Sequence, residues 1–332
     1  MRNLNAVITG VGGYVPEDIL TNEDITKMVD TTDEWITTRT GIKERRILKG
    51  EGLGASFMGA KAIEELLRKT NTKPEEVDAL ICSTTTPDYI FPSTASILAG
   101  KCGITHAFAY DLAAACSGFL FGLVNGASFV ESGRFKKVIV VATEKMSSVT
   151  NYQDRTTCPL FGDGAAAVML EPSEEPLGLI DSVLHTDGVG YPYLHIKAGG
   201  SVQPINHEAL DNRANYTYQE GQTVFKFAVT KLVEASEEMK TRNGLTANDV
   251  DWVVPHQANM RIIDSITRTM KVPTEKVVVN IQKYGNTSSA SIPICLWEFE
   301  KQFKKGDVLI MSAFGAGFSW GSVYLKWAYD SK

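Results

Sequence analysis

The chain repeats itself at about half its length. A helical stretch followed by Pro74-Glu75-Glu76-Val77-Asp78-Ala79-Leu80-Ile81 recurs as a helical stretch followed by Ala247-Asn248-Asp249-Val250-Asp251-Trp252-Val253-Val254, so that Val250 answers Val77 at an offset of 173 residues. Further on, the run 138–142 followed by Phe161-Gly162-Asp163-Gly164 is answered by the run 308–312 followed by Phe314-Gly315-Ala316-Gly317, at an offset of 170 residues. Both offsets lie close to half of 332, and the elements keep their order, as in a duplicated unit. Within each half, short β-branched runs alternate with amphipathic stretches of helical length, which marks an α/β sheet protein. Ala6–Ile8, Ala79–Cys82, Val138–Val141, Asp251–Val254 and Val308–Met311 are candidate strands, and residues 55–69 and 224–240 candidate helices. The expected fold is α/β: two duplicated halves, 1–172 and 173–332, packed face to face as a layered α-β-α-β-α sandwich.

Two such units need enough apolar chain to bury, and 43% hydrophobic residues over this length suffice without disulfides or a structural metal. The net charge of -6 argues against a dedicated nucleic-acid binder, which would carry a basic face. Neither a signal peptide nor a membrane span is expected, and the chain reads as cytoplasmic. Five cysteines, an odd number without a CxxC pair, fit reduced thiols rather than a disulfide frame or a zinc site. Residues 186–222, rich in Gly, Asn and Tyr with weak periodicity, read as an inserted loop or cap, in which His195 and His207 pack or face solvent.

Three residues stand where chemistry is usually placed. Cys116, in Asp111-Leu112-Ala113-Ala114-Ala115-Cys116-Ser117-Gly118, follows small residues and opens an apolar helical stretch, where the macrodipole lowers a thiol pKa. Cys82, Cys102, Cys158 and Cys295 lack that setting and read as packing thiols. His256, in Val254-Pro255-His256-Gln257-Ala258-Asn259, lies just past a buried strand, where α/β folds present functional groups. Asn286, in Tyr284-Gly285-Asn286-Thr287-Ser288-Ser289, offers an amide at a helix start. The 170-residue echo places it opposite Cys116. Cysteine, histidine and asparagine suit either a papain-like thiol hydrolase or an acyl transfer followed by carbon–carbon bond formation. The hydrolase leaves the duplication without a reason.

The motifs AAACSGF, HQANMRI, YGNTSSASIP and FGAGFSWG, in this order, resemble those of the β-ketoacyl-acyl carrier protein synthase III family of the thiolase superfamily. The resemblance runs from Thr9-Gly10 to the C-terminus and implies a thiolase-like fold. It also implies an acyltransferase of fatty acid biosynthesis: a decarboxylating Claisen condensation of an acyl-CoA primer with malonyl-acyl carrier protein, through an acyl-cysteine. Cys116 would be the nucleophile. His256 and Asn286 would donate to the malonyl thioester oxygen, and the backbone N–H groups of Cys116 and Ala316 would form a second oxyanion hole. Many relatives have glycine where Ala316 stands, which puts a positive φ there in question.

By the same resemblance Trp35, Arg39 and Arg155 would hold the adenine and phosphates of CoA, and Phe91 would reach from one subunit into the acyl pocket of its partner in a homodimer. No permanently bound cofactor and no metal is implied; acyl-CoA is a substrate. The basic run Arg39, Lys43, Arg45, Arg46 and Lys49, broken only by Glu44, is a candidate landing area for CoA phosphates or an acidic carrier protein, with Arg261 beside it. Relatives in secondary metabolism would share the triad. A carrier-binding scaffold without catalysis would need no such triad. Gly10-Val11-Gly12-Gly13 tempts a dinucleotide-binding reading, but Val15 takes the third glycine position and Pro16 follows where a helix should begin.

Overall fold

Strands buried on both faces organise the molecule, and their alternation separates three hydrophobic layers. In a computed structural model residues 4–331 are described; residues 1–3 and 332, the outer ends of the two expected halves, lie outside the described residues. The first part of the chain runs β1 (Asn5–Tyr14), β2 (Ile19–Thr21), α1 (Asn22–Thr26), α2 (Asp33–Thr40), β3 (Glu44–Arg46), α3 (Ala55–Thr70), β4 (Ala79–Ser83), α4 (Thr94–Lys101), β5 (Phe108–Leu112), α5 (Gly118–Glu131), β6 (Val138–Lys145) and β7 (Asp163–Ser173). It continues with β8 (Gly178–Thr186), β9 (Leu194–Ile196), α6 (His207–Asp211), β10 (Thr217–Gln219), α7 (Gly221–Asn243), β11 (Trp252–Pro255), α8 (Met260–Met270), α9 (Ile281–Tyr284), α10 (Ser291–Phe299), β12 (Val308–Gly315) and β13 (Ser319–Lys326).

The duplication is written into the sheets. One sheet has the order β1-β7-β6-β4-β5 and the other β11-β12-β13-β8, its mirror in listing. In both, one corresponding pair is parallel (β4 with β6, β11 with β12) and the next two pairings are antiparallel. Where β5 extends the first sheet, the second has a parallel bridge between Val253 and Val277. Period-two alternation then sorts the side chains. Ala79 and Ile81 of β4, Val138 and Val140 of β6, and Leu309 and Met311 of β12 face a central core with Phe119 and Leu123 of α5 and Ile292 and Leu296 of α10. Leu80, Cys82, Ile139 and Val141 face α3 on the outer side. Val253 and Ile310 face α7 and α8. The result is the five-layered α-β-α-β-α sandwich of a thiolase-like fold.

The candidate strands and both candidate helices are present, the latter as the longer α3 and α7. One expectation is refined and one changes. The segment 186–222, expected as a loop or cap, carries short elements, the antiparallel pair β9/β10 and α6, and agrees with the cap reading in that β9/β10 lines a cavity. The counterpart of Cys116 is Ser289, three residues past Asn286: the turns Ala115–Ser117 and Ser288–Ala290 each open on a positive φ (47° and 49°) and lead directly into α5 and α10. Gly12 and Gly13 lie inside β1, where a Cβ on Gly12 would strike the Ala62 carbonyl of α3 and one on Gly13 the Trp297 ring. These glycines serve close packing, not a phosphate loop.

Candidate active site

Cys116, His256 and Asn286 line one cavity of about 440 Å³. A second cavity of about 240 Å³ shares Cys116 and Asn286 with it and runs inward past Ala316 and Ser288. The duplicated topology explains the meeting. The turn before α5 brings Cys116, the turn before α10 brings Asn286, and both central helices start at the junction of the halves.

Each side chain is held by partners that fix what it can do. Asn286 is buried, and its Oδ1 accepts from the Ser288 N–H at 2.8 Å. Because a backbone N–H can only donate, this contact sets the amide orientation and leaves Nδ2 as a donor with no hydrogen-bond partner among the described residues. The Asn286 backbone is clamped as well, donating to Leu160 O at 2.8 Å and accepting from Gly162 N at 3.1 Å. His256 is buried, with Nδ1 2.6 Å from Ser291 Oγ. Ser291 Oγ accepts from the Gln257 N–H at 3.3 Å, so its own proton is free for Nδ1. That assignment places the imidazole proton on Nε2, which is buried and has no partner. Burial alone lowers the His256 pKa to about 3, so the ring is neutral.

Cys116 is half-buried as a residue, but its sulfur is deep: burial pushes the thiol up to about 12, against the Ser288 hydroxyl, which pulls it down. The Sγ–H donates to Ser288 Oγ at 3.7 Å. The expectation of a lowered thiol pKa is therefore corrected: burial pushes it up, and the resting group is a thiol. The Phe314–Gly317 turn presses against it, since a Cβ on Gly315 would lie 2.6 Å from the Cys116 nitrogen. Ser319 Oγ, donating to Ala114 O at 2.9 Å, and Ser117 Oγ, donating to Ser319 O at 2.8 Å, tie the two loops together. Ala316 has no positive φ, so its methyl costs nothing there.

Sequence reading missed the group beneath this site. Glu144, at the end of β6, is fully buried. Its Oε2 accepts from Thr84 Oγ1 (3.4 Å), Thr85 N (3.0 Å), Thr85 Oγ1 (3.1 Å) and Thr86 Oγ1 (2.8 Å), and its Oε1 accepts from Ser289 N (3.4 Å) and Ser289 Oγ (2.7 Å). One carboxylate thus fastens the Asn286–Ser289 turn to the loop after β4. An acid closing the apolar run 138–143 was the available signal.

At the mouth of the larger cavity the exposed Trp35 is flanked by two guanidinium groups, Arg155 at 5.3 Å and Arg39 at 5.9 Å from the ring centre. Arg261, also at this mouth, lies 4.6 Å over Phe225. The basic run does not survive as a surface cluster. Arg45 is fully buried and donates to Leu20 O (3.0 Å), Asn22 Oδ1 (2.9 Å) and Pro159 O (2.7 Å). Burial pushes its pKa down to about 10. Arg46 pairs with Glu44 and Lys49 with Asp18. Phe91 is 84% exposed and lines neither cavity of its own chain. Among the described residues there is no group of three metal-binding side chains and no helix long and apolar enough to cross a membrane.

Two duplicated α/β halves with a cysteine turn and a histidine-asparagine cluster meeting between them define a thiolase-like protein of the condensing class. Family models for 3-oxoacyl-[acyl-carrier-protein] synthase III match residues 110–188, and for its C-terminal part residues 241–327. The β-ketoacyl-[acyl-carrier-protein] synthase III 2 of Bacteroides thetaiotaomicron is 58% identical over 332 residues, covering 100% of this chain and 99% of that one. The crystal structure of 3-oxoacyl-[acyl-carrier-protein] synthase III from Aquifex aeolicus superposes with a TM-score of 0.89 at 42% identity, over 97% of this chain and 100% of that one. The priming β-ketosynthase of the R1128 polyketide pathway superposes with a TM-score of 0.91 at 34% identity, over 99% and 98%. The chain belongs to the β-ketoacyl-acyl carrier protein synthase III family, condensing acyltransferases that initiate fatty acid synthesis.

Proposed function

We propose that Cys116 takes the acyl group of an acyl-CoA primer and that His256 and Asn286 then drive condensation with malonyl-acyl carrier protein. The observation that carries this reading is the pair of unpartnered donors, His256 Nε2–H and Asn286 Nδ2–H, in the cavity that holds Cys116. Decarboxylation of a malonyl thioester leaves an enolate oxygen, and a step that builds negative charge on oxygen needs donors rather than a base. A neutral, desolvated imidazole whose tautomer is set by Ser291 meets that need. The carbanion then attacks the acyl-cysteine, whose oxyanion is received by the backbone N–H groups of Cys116 and Ala316, adjacent through Gly315. Because the resting thiol is protonated, its proton passes to the departing CoA sulfur as the acyl group moves to Sγ and free CoA leaves, with the Ser288 hydroxyl at the sulfur. No permanently bound cofactor takes part.

Trp35 and Arg155 would sandwich the adenine, with Arg39 on the phosphates, and Arg261 would meet the carrier protein at the same mouth. Of the basic landing area, Arg39 and Lys43 remain exposed. Phe91 would enter the inner cavity of a partner subunit in a homodimer. The exposed run Tyr89, Ile90 and Phe91 supports that reading, since a contiguous apolar patch marks an interface. The five free cysteines support a reducing, cytoplasmic setting. The halves 1–172 and 173–332 act as one unit, each supplying part of the site.

The test separates the half-reactions. Wild type incubated with acetyl-CoA gains one acetyl group on Cys116, seen by intact and peptide mass; Cys116→Ser gains none. Asn286→Ala still acylates but loses malonyl decarboxylation and condensation by at least about 100-fold, as for loss of an oxyanion donor. Equal loss of both half-reactions in Asn286→Ala would remove Asn286 from the second step.

A further inference from the structure

We infer that Arg45 and Asn22, both buried and outside the cavities, are positioning residues for CoA: together they tie the backbone that carries Trp35 to the backbone that carries Arg155. The inference rests on the CoA reading above. Trp35 and Arg39 stand on α2, and Arg155 on the segment 151–160. Each support is braced from within. Thr32 caps α2 by accepting from the Trp35 N–H at 3.1 Å. In the segment, Asp154 accepts from Thr156 N (2.9 Å), Thr156 Oγ1 (2.7 Å) and Thr157 Oγ1 (2.8 Å), so Arg155 sits inside a closed turn.

Two side chains join these supports. Asn22 Nδ2 donates to Asp33 Oδ1 in the first turn of α2 (2.7 Å) and to Ile42 O just past its end (2.8 Å), which grips the helix at both ends. That occupies the amide hydrogens and turns Oδ1 toward Arg45. Arg45 Nη2 donates to Asn22 Oδ1 at 2.9 Å and to Pro159 O at 2.7 Å, so one nitrogen bridges both supports. Among the described residues no other hydrogen bond joins 19–46 to 151–160. The three acceptors of Arg45, Leu20 O among them, are neutral. A guanidinium taken out of water without a carboxylate is costly, and its charge-assisted bonds to those acceptors are what offset the cost. The link is therefore strong where a water-exposed one would be loose. The free clamp shows what it is needed for. Arg155 lies 5.3 Å from the Trp35 ring centre, whereas a purine between them needs roughly 7 Å, two contacts of about 3.5 Å. The Arg155 side chain must swing to admit adenine while its backbone stays at a fixed distance from α2. Holding that backbone in advance spares CoA the cost of ordering it.

The experiment follows single-turnover acylation of Cys116 by acetyl-CoA and by S-acetyl-pantetheine, which lacks the adenine and its phosphates. The proteins are wild type, Arg45→Met, Asn22→Asp, Trp35→Ala and Arg45→Met combined with Trp35→Ala. In Arg45→Met the half-saturating acetyl-CoA concentration should rise about fivefold, the scale of one lost cation–π contact. Its maximal rate and its second-order rate constant with S-acetyl-pantetheine should stay within about twofold of wild type, as for loss of binding at the adenine end alone. Asn22→Asp keeps the acceptor for Arg45 and removes the donor to α2. It should give the same pattern, and it carries the test if Arg45→Met does not fold. In the Trp35→Ala background Arg45→Met should add less than about twofold, because a residue that acts through the clamp then has nothing to position. Three results overturn the assignment: equal losses with both thioesters, an undiminished loss in the Trp35→Ala background, or acetyl-CoA values within about twofold of wild type in both Arg45→Met and Asn22→Asp. Trp35→Ala that saturates with acetyl-CoA as wild type does overturns the CoA reading instead, and is told apart because Arg45 and Asn22 are intact in it.

Discussion

His256 shows how a single side chain is tuned by what surrounds it. Its pKa of about 3 comes from burial, and its only polar contact, Ser291, holds it as a neutral ring. The folded value lies below the ordinary one of about 6.5, so across that window the unfolded chain binds a proton that the folded chain does not. The contribution to stability is complete above pH 6.5 and is lost as the pH falls toward 3, by about 1.4 kcal/mol for each pH unit. Urea unfolding of wild type at pH 7.5, 6 and 5 should follow that slope, and His256→Asn should flatten it by the same amount; equal slopes would show that the ring is protonated in the folded state. Condensation rates should likewise show no inflection from His256 between pH 6 and 8. The three residues of the triad were legible because each stands where a strand or turn hands over to a helix inside a dense motif. The state of Cys116 was not, because its burial involves residues far away in the chain, Ser288 and Gly315 among them.

At the scale of elements, the turn Ser288–Ala290 and the loop after β4 are joined by Glu144, whose partners stand 58 to 60 and 145 residues away in the chain. All six of its contacts are donated to it, two of them by backbone N–H groups that can do nothing else. Glu144→Gln puts an NH2 group where one oxygen stood and leaves Thr85 N or Ser289 N unmet. The expected cost is about 1–3 kcal/mol in urea unfolding. The negative charge of Glu144 also raises the Cys116 pKa, so iodoacetamide alkylation of Cys116 in Glu144→Gln should shift to lower pH. An unshifted alkylation profile would mean that the charge does not reach the sulfur. The same distances explain what sequence could not supply. β4, β6, β11 and β12 were visible as apolar runs, and α3 and α7 by their period. Arg45 looked like surface charge because its acceptors come from two distant places, Leu20 and Asn22 from one and Pro159 from the other. The segment 186–222 was legible only as a loop or cap because β9 and β10 have three residues each, too few to show a period.

For the whole molecule, the duplication decides where function can sit. The central layer of α5 and α10 is shared, so the site at their starts belongs to neither half alone. The outer edges of the sheets differ, and this asymmetry bears on assembly. β5 ends the five-stranded sheet with Phe108 41% exposed, whereas the second sheet has only the Val253–Val277 bridge at the matching edge. An open edge beside exposed aromatic side chains favours pairing with another chain, and a second copy offers an identical edge. The run Tyr89–Ile90–Phe91 in the loop after β4 adds the apolar surface such a pairing would cover. In the proposed homodimer Phe91 closes the inner cavity of its partner, so interface and acyl site are coupled. Sedimentation velocity should give a species of twice the chain mass for wild type. Phe91→Asp should weaken that association and slow Cys116 acylation at concentrations where it is monomeric, with recovery as concentration rises. A monomeric wild type with full acylation activity would detach Phe91 from the acyl site and leave each chain with a cavity complete in itself.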